Sequence, residues 1–128
     1  MNKKVISTAA VLGAIAIIVG AFGAHALKKV LDVNQLATFE TGVKYQMYHA
    51  LFLLFVGTSQ MISEKAKKGI LYLVVIGILF FSGSIYLLAT NGLLGIDFKV
   101  IGFITPIGGL LLIIAWVCLF VDILKKKS

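Results

Sequence analysis

The feature that most constrains this chain is a set of four long stretches without a single charged side chain. They cover residues 5–27, 45–63, 69–96 and 100–121. A helix needs roughly 20 mainly apolar residues to cross about 30 Å of hydrocarbon, and each stretch is close to or above that length. The connections between them are too short for a separate soluble domain. The sequence therefore predicts a single membrane domain over residues 1–128, an all-α integral membrane four-helix bundle.

The composition supports a lipid environment. Hydrophobic residues make up 60% of the chain and charged residues 13%, whereas soluble domains average roughly 25% charged residues. The net charge of +7 comes from twelve lysines with no arginine, and most lysines lie at the ends of the apolar stretches. Lysines in such places suit anionic lipid headgroups. Arginine, which commonly forms bidentate hydrogen bonds to the phosphates and bases of nucleic acids, is absent. We expect membrane lipids as partners and no nucleic acid.

The lysines also predict an orientation. Two lie at the N-terminus, three in the second connection and three at the C-terminus, which places eight on one side of the membrane. The other side carries only Lys28, Lys29, Lys44 and Lys99. Short cytoplasmic segments carry the excess of lysine in membrane proteins. The sequence therefore predicts a protein of the plasma or cytoplasmic membrane with both termini in the cytoplasm.

The predicted spans are about 5–26, 45–62, 69–91 and 106–124. An A-x-A pattern at 24–26 resembles a signal cleavage site, but the apolar run before it is longer than a signal peptide uses, so we expect an uncleaved span.

The connection between the first two spans is predicted to form a short amphipathic interfacial helix. Leu36, Phe39 and Val43 fall on one helical face. Asp32 or Asn34 would cap its start, and the chain would turn near Gly42 into the second span. Tyr45 and Tyr48 would then lie in the outer aromatic belt.

Two further boundaries follow from helix-ending and helix-starting residues. Asn91-Gly92 is a plausible stop for the third span, with the glycine in a left-handed conformation. For the fourth span we favour Thr105 as the N-cap, followed by Pro106 in the first turn. The alternative is a helix that begins near Val100 and is kinked at Pro106.

Polar side chains in the spans concentrate toward the predicted outer end, and we call this set the outer polar cluster. Polar groups inside a membrane are costly, so their position is informative. Three interpretations stay open: mutual hydrogen bonding that holds the bundle together, a site for a small molecule or lipid headgroup, and a metal or haem site. The members are His25, Tyr45, Gln46, His49, Ser82, Ser84, Tyr86 and Thr105.

The chemistry of this cluster points to no reaction. A metal site would use His25 and His49, which lack a third strong ligand at short spacing. The sequence contains no H-E-x-x-H, G-x-S-x-G or P-loop lysine, and no acid lies in the middle of a span, which argues against a proton-driven carrier. We predict no catalytic residue and no cofactor, and we favour a protein without enzymatic activity.

Four blocks of the sequence resemble one known family in the same order along the chain. They are GAFGAHALKK at 20–29, FETGVKYQMYHAL at 39–51, FSGSIYLLA at 81–89 and ITPIGGLLLIIAW at 104–116. The family is the one catalogued as domain of unknown function 423, with animal relatives called transmembrane protein 256. The resemblance implies a four-span membrane protein and no activity, so no functional residue is carried over from it.

The first functional hypothesis is therefore a non-enzymatic accessory, scaffold or lipid-associated binding protein, with the outer polar cluster as its candidate site. It allows a homo-oligomer or a membrane protein partner. The alternative is a small oligomeric transporter or channel. A metal- or haem-binding membrane protein comes third.

Overall fold

The computed structural model describes residues 2–90 and 98–125, and this part of the chain is helical with short turns and no strand. The all-α bundle that the sequence predicts is confirmed. The expected stop at Asn91-Gly92 lies outside the described residues. The helices are α1 (Lys3–Ile18), which continues through a π-helical turn (Val19–Gly23) into α2 (Ala24–Leu27), then α3 (Val33–Thr58), α4 (Glu64–Ala89) and α5 (Phe98–Lys125).

Three helical stretches of the described residues are long and apolar enough to cross a membrane: Lys3–Leu27, Glu64–Ala89 and Ile101–Lys125. The helix that contains the predicted second span, α3, is absent from this set because Glu40, Lys44, Gln46 and His49 lower its mean hydropathy. Its length of 26 residues corresponds to about 39 Å.

Contacts with the neighbouring helices show that α3 runs the full length of the bundle. Near its C-terminal end, a Cβ at Gly57 would lie 2.8 Å from Ile6 in the first turn of α1. Toward its N-terminal end, Val43 approaches Gly20 of the π-helical turn. These two contacts place α3 antiparallel to the first helix over most of its length.

The separate interfacial helix and its turn near Gly42 were wrong predictions. Asp32 does cap the helix, in a capping box with Gln35, but the helix then continues through Gly42 without a break. A Cβ at Gly42 would lie 2.7 Å from the ring of Tyr86 and 3.0 Å from Ile85. The glycine therefore allows α4 to approach closely, and does not make a turn.

The favoured start of the fourth span was also wrong. Helix α5 begins at Phe98 and contains Pro106 in its interior, so the alternative start near Val100 is the better description. Proline is tolerated inside membrane helices because neighbouring helices and hydroxyl side chains satisfy the backbone groups that it frees. Thr105, the expected cap, instead bonds back to the carbonyl of Ile101 at 3.3 Å.

The backbones of α4 and α5 approach each other closely. A Cβ at Gly108 would collide with the backbone of Phe80 and Phe81, and one at Gly77 would lie 2.8 Å from Leu112. Small residues at a membrane helix interface let backbones pack closely. This packing stabilises the helix pair, because the hydrophobic effect does not drive helices together inside lipid.

The end of the bundle that carries both termini is tied together by capping contacts. Asn2 caps α1 and donates from its backbone N–H to the carbonyl of Gly57 at 2.9 Å. Ser63 caps α4, and both its N–H and its hydroxyl donate to the carboxylate of Asp122, at 2.9 and 2.7 Å. The α3–α4 turn is therefore attached to the last turns of α5.

Candidate functional site

Gln46 joins three helices from the middle of α3. Its side chain is 3% exposed. Its Nε2 donates to the carbonyl of Leu12 in α1 at 2.9 Å, and its Oε1 accepts from the hydroxyl of Tyr86 in α4 at 2.7 Å. Both ends of the amide are thus satisfied by other helices, and Gln46 acts as a cross-link between them.

His49 lies one turn further along α3 and bonds to α5. Its Nδ1 is 2.7 Å from the carbonyl of Tyr45, and the indole Nε1 of Trp116 donates to its Nε2 at 3.1 Å. Since an indole N–H can only donate, Nε2 must be the acceptor, which places the imidazole proton on Nδ1. Trp116 also stacks on Phe52, with ring centroids 4.0 Å apart. The geometry therefore fixes a neutral histidine between two helices.

Two serines of α4 make further hydrogen bonds to neighbouring helices. Ser82 is fully buried and donates to the carbonyl of Gly42 in α3 at 2.7 Å. The hydroxyls of Ser84 and Thr105 are 2.5 Å apart and link α4 to α5. Every buried side-chain nitrogen and oxygen among the described residues has a hydrogen-bond partner, so this arrangement presents no unpaired polar atom to a ligand.

The structure divides the outer polar cluster. His25 is exposed on α2, and no hydrogen bond among the described residues joins it to His49. Tyr45 is 40% exposed and packs its ring against Tyr48 and Phe81. The remaining six residues form the pairwise contacts between helices described above. No group of three His, Cys, Asp or Glu side chains that could hold a metal ion occurs in the described part of the chain.

The depth expected for His49 also changes. The sequence pattern places this histidine toward the predicted outer end, just after Lys44. In the structure His49 and its partner Trp116 each lie nine residues before the end of their helix, about 14 Å from the end that carries the termini. Because α3 begins eleven residues before Lys44, that lysine does not mark the edge of the bundle.

Two further polar residues were not identified from the sequence as site residues. Trp116 lies in an apolar stretch, and no local pattern in the sequence reveals that its partner comes from α3. Lys67 was counted only as a lysine of the second connection. It is 1% exposed, and its Nζ lies 3.4 Å from Glu64 and 3.5 Å from the carbonyl of Gly57.

The chain is similar to known membrane proteins along its whole length. A family model described as "Protein of unknown function (DUF423)" matches residues 19–109. A "UPF0382 membrane protein" of Haemophilus influenzae is 38% identical over 128 residues, covering 100% of this chain and 99% of the relative. No solved structure matches the chain.

Two other relatives extend the similarity to different bacteria. The "UPF0382 membrane protein YwdK" of Bacillus subtilis is 37% identical, covering 90% of this chain and 94% of the relative. The "UPF0382 inner membrane protein YgdD" of Escherichia coli is 33% identical, covering 93% and 88%.

Proposed function

Since this chain belongs to the DUF423 family of membrane proteins of unknown function, we propose that it acts as a non-enzymatic accessory or scaffold protein associated with membrane lipids. Its membrane is the plasma or cytoplasmic membrane, and both termini lie in the cytoplasm. The name of the Escherichia coli relative, an inner membrane protein, supports this location. The orientation rests on the eight lysines at the two chain ends and around the α3–α4 turn. Against them stand Lys28, Lys29 and Lys99 toward the other end, and Lys44 within α3.

The observation that carries the proposal is the pairing of the buried polar groups. Gln46, His49, Ser82 and Ser84 are all buried, and each bonds to a different helix of the same chain or to its own backbone. A catalytic or ligand-binding site instead presents polar groups to a cavity. Pairing of this kind supports a structural role for the cluster.

The outer surfaces of α1 and α5 suit contacts within the membrane. Both helices direct large apolar side chains away from the bundle. These surfaces offer lipid tails, or the helix of a membrane protein partner, an apolar face about as long as the bilayer is thick. Examples in α1 are Val11, Ile15, Ile17 and Ile18, and in α5 Leu110, Ile113 and Phe120.

The test is the His49→Ala variant, purified in parallel with the unsubstituted protein from native membranes in a mild detergent. Metal content, the haem absorption spectrum, copurifying proteins and thermal stability are measured on both. A scaffold predicts a lower melting temperature for the variant, with copurifying proteins unchanged. A stoichiometric metal, haem or small molecule that copurifies with the unsubstituted protein and is lost from the variant would refute the proposal.

Orientation has its own test. Two reporters are fused in turn after Ser128, one that is active only in the cytoplasm and one that is active only outside it. The first reporter should be active and the second inactive. The opposite result would contradict the proposed orientation.

A further inference from the structure

A groove of about 410 Å³ lies between the first turns of α4 and the last turns of α5, at the end of the bundle that carries both termini. It is separate from the outer polar cluster. The lining residues are Ser63, Lys65, Ala66, Gly69, Val117, Cys118, Val121, Asp122 and Lys125.

The groove exists because α4 presents small residues where α5 passes it. A Cβ built on Gly69 would meet nothing within 4 Å, and Ala66 adds only a methyl group. Across from them, Val117 and Val121 are 52% and 39% exposed. Val117 lies eight residues before Lys125, so the apolar wall extends about 12 Å into the membrane from the helix end.

The polar end of the groove carries two ammonium groups. Lys65 lies in the first turn of α4 and Lys125 is the last residue of α5, and both are exposed. The one acid in the lining, Asp122, accepts hydrogen bonds from Ser63 on both carboxylate oxygens. The lining therefore combines a net positive charge at the surface with an apolar wall below it.

We propose that this groove binds one anionic phospholipid from the leaflet on the termini side. The phosphate lies between Lys65 and Lys125, and an acyl chain lies over Gly69 against Val117 and Val121. Charge complementarity selects the anionic headgroup, because lysines near a membrane surface attract anionic lipids. The apolar wall favours a lipid over a free phosphate ion, because a phosphate ion would make no contact with that wall.

The experiment uses the full-length protein in mixed micelles that contain one part palmitoyl-oleoyl phosphatidylglycerol to nine parts of the corresponding phosphatidylcholine. Native mass spectrometry counts the lipid adducts that survive release from the micelle. We expect one bound phosphatidylglycerol molecule per protein, at a frequency higher than the share of this lipid in the mixture predicts. Each lysine is worth roughly fivefold in preference at a membrane surface, so Lys65→Gln/Lys125→Gln should reduce the preference about 25-fold.

Filling the groove gives a second variant that does not change the charge. Gly69→Leu should abolish the adduct, since the leucine would occupy the space of the acyl chain. Gly83→Leu is its matched control, because Gly83 lies in the same helix and its Cβ would also meet nothing within 4 Å. Lys28→Gln/Lys29→Gln is the control for loss of charge elsewhere. Both controls should keep the adduct.

Four outcomes would overturn the proposal. The first two are a preference for phosphatidylglycerol that survives Lys65→Gln/Lys125→Gln, and one that survives Gly69→Leu. The third is an equal loss of that preference in the Lys28→Gln/Lys29→Gln control. The fourth is a protein dimer that disappears with Gly69→Leu. The last would assign the groove to a second copy of the chain. Circular dichroism of each variant verifies that it is folded before its adducts are counted.

Discussion

Removing the hydroxyl of Tyr86 should break one hydrogen bond between α3 and α4 and destabilise the bundle. Tyr86→Phe leaves the ring in place, so the variant loses the 2.7 Å hydrogen bond to Gln46 and the hydroxyl's interaction with Ser82 of the same helix. Hydrogen bonds between membrane helices average about 0.6 kcal/mol and reach about 1.7 kcal/mol. Gln46 would then keep its bond to Leu12 but leave its amide oxygen buried without a donor, which brings the expected loss to about 1–2 kcal/mol.

A double-mutant cycle separates this bond from other effects of the substitutions. Gln46→Leu removes the amide at similar volume, and it should cost more than Tyr86→Phe because the bond to α1 is lost as well. If the two side chains interact as the structure shows, the double variant should be more stable than the sum of the single losses predicts, by about 0.6–1.7 kcal/mol.

The assay is unfolding of the purified protein by sodium dodecyl sulfate in mixed micelles, followed by helical circular dichroism and by emission from the single tryptophan. Tyr48→Phe is the matched control, since Tyr48 is 53% exposed and no hydrogen bond of its hydroxyl occurs among the described contacts. Equal stability of Tyr86→Phe and Tyr48→Phe, with no coupling in the cycle, would refute the cross-link.

Two further substitutions test helix packing and capping by the same unfolding assay. Gly108→Ala should lose about 1–3 kcal/mol because the added methyl meets backbone atoms of α4, which cannot move aside as a side chain can; Gly83→Ala should lose nothing, and similar values for the two would contradict the close approach. Ser63→Ala should lose about 1 kcal/mol or more, since it removes the cap of α4 and a donor to Asp122, whereas Ser7→Ala, which removes only an exposed bond to its own helix, should be close to neutral.

The apolar stretches could be recognised from the sequence because a membrane imposes a length and a hydrophobicity on any helix that crosses it. They predicted the helical bundle and the approximate position of α1, α4 and α5. For α3 the same criterion located only the second half of the helix. Glu40 and Lys44 suggested a connection outside the hydrocarbon, whereas the structure continues the helix through both residues.

Individual polar residues were predictable as exceptions within apolar helices, but their partners were not. Gln46, His49 and Ser82 each stand out because polar groups are rare in spans. Their partners are the carbonyl of Leu12, the indole of Trp116 and the carbonyl of Gly42. Any residue can supply a carbonyl, and the tryptophan comes from a helix 67 residues away, so no local pattern identifies them.

Pro106 shows the opposite difficulty. In a soluble protein a Thr-Pro pair is a sound signal for the start of a helix. Within a membrane bundle the backbone groups freed by proline can be satisfied by neighbours, so the helix can continue through it. The sequence signal is the same in both environments, and only the packing decides between them.

The most direct test of the bundle is a disulfide between α1 and α3, formed in the native membrane. A Cβ at Gly13 would lie 3.7 Å from that of Ala50, close to the mean of about 3.8 Å in disulfides. In a Cys118→Ser background, Gly13→Cys/Ala50→Cys should oxidise within one chain in membranes washed at alkaline pH. Gly13→Cys/Gly83→Cys should not. Failure of the first pair to cross-link, or release of the protein by the alkaline wash, would contradict a membrane bundle in which α3 lies along α1.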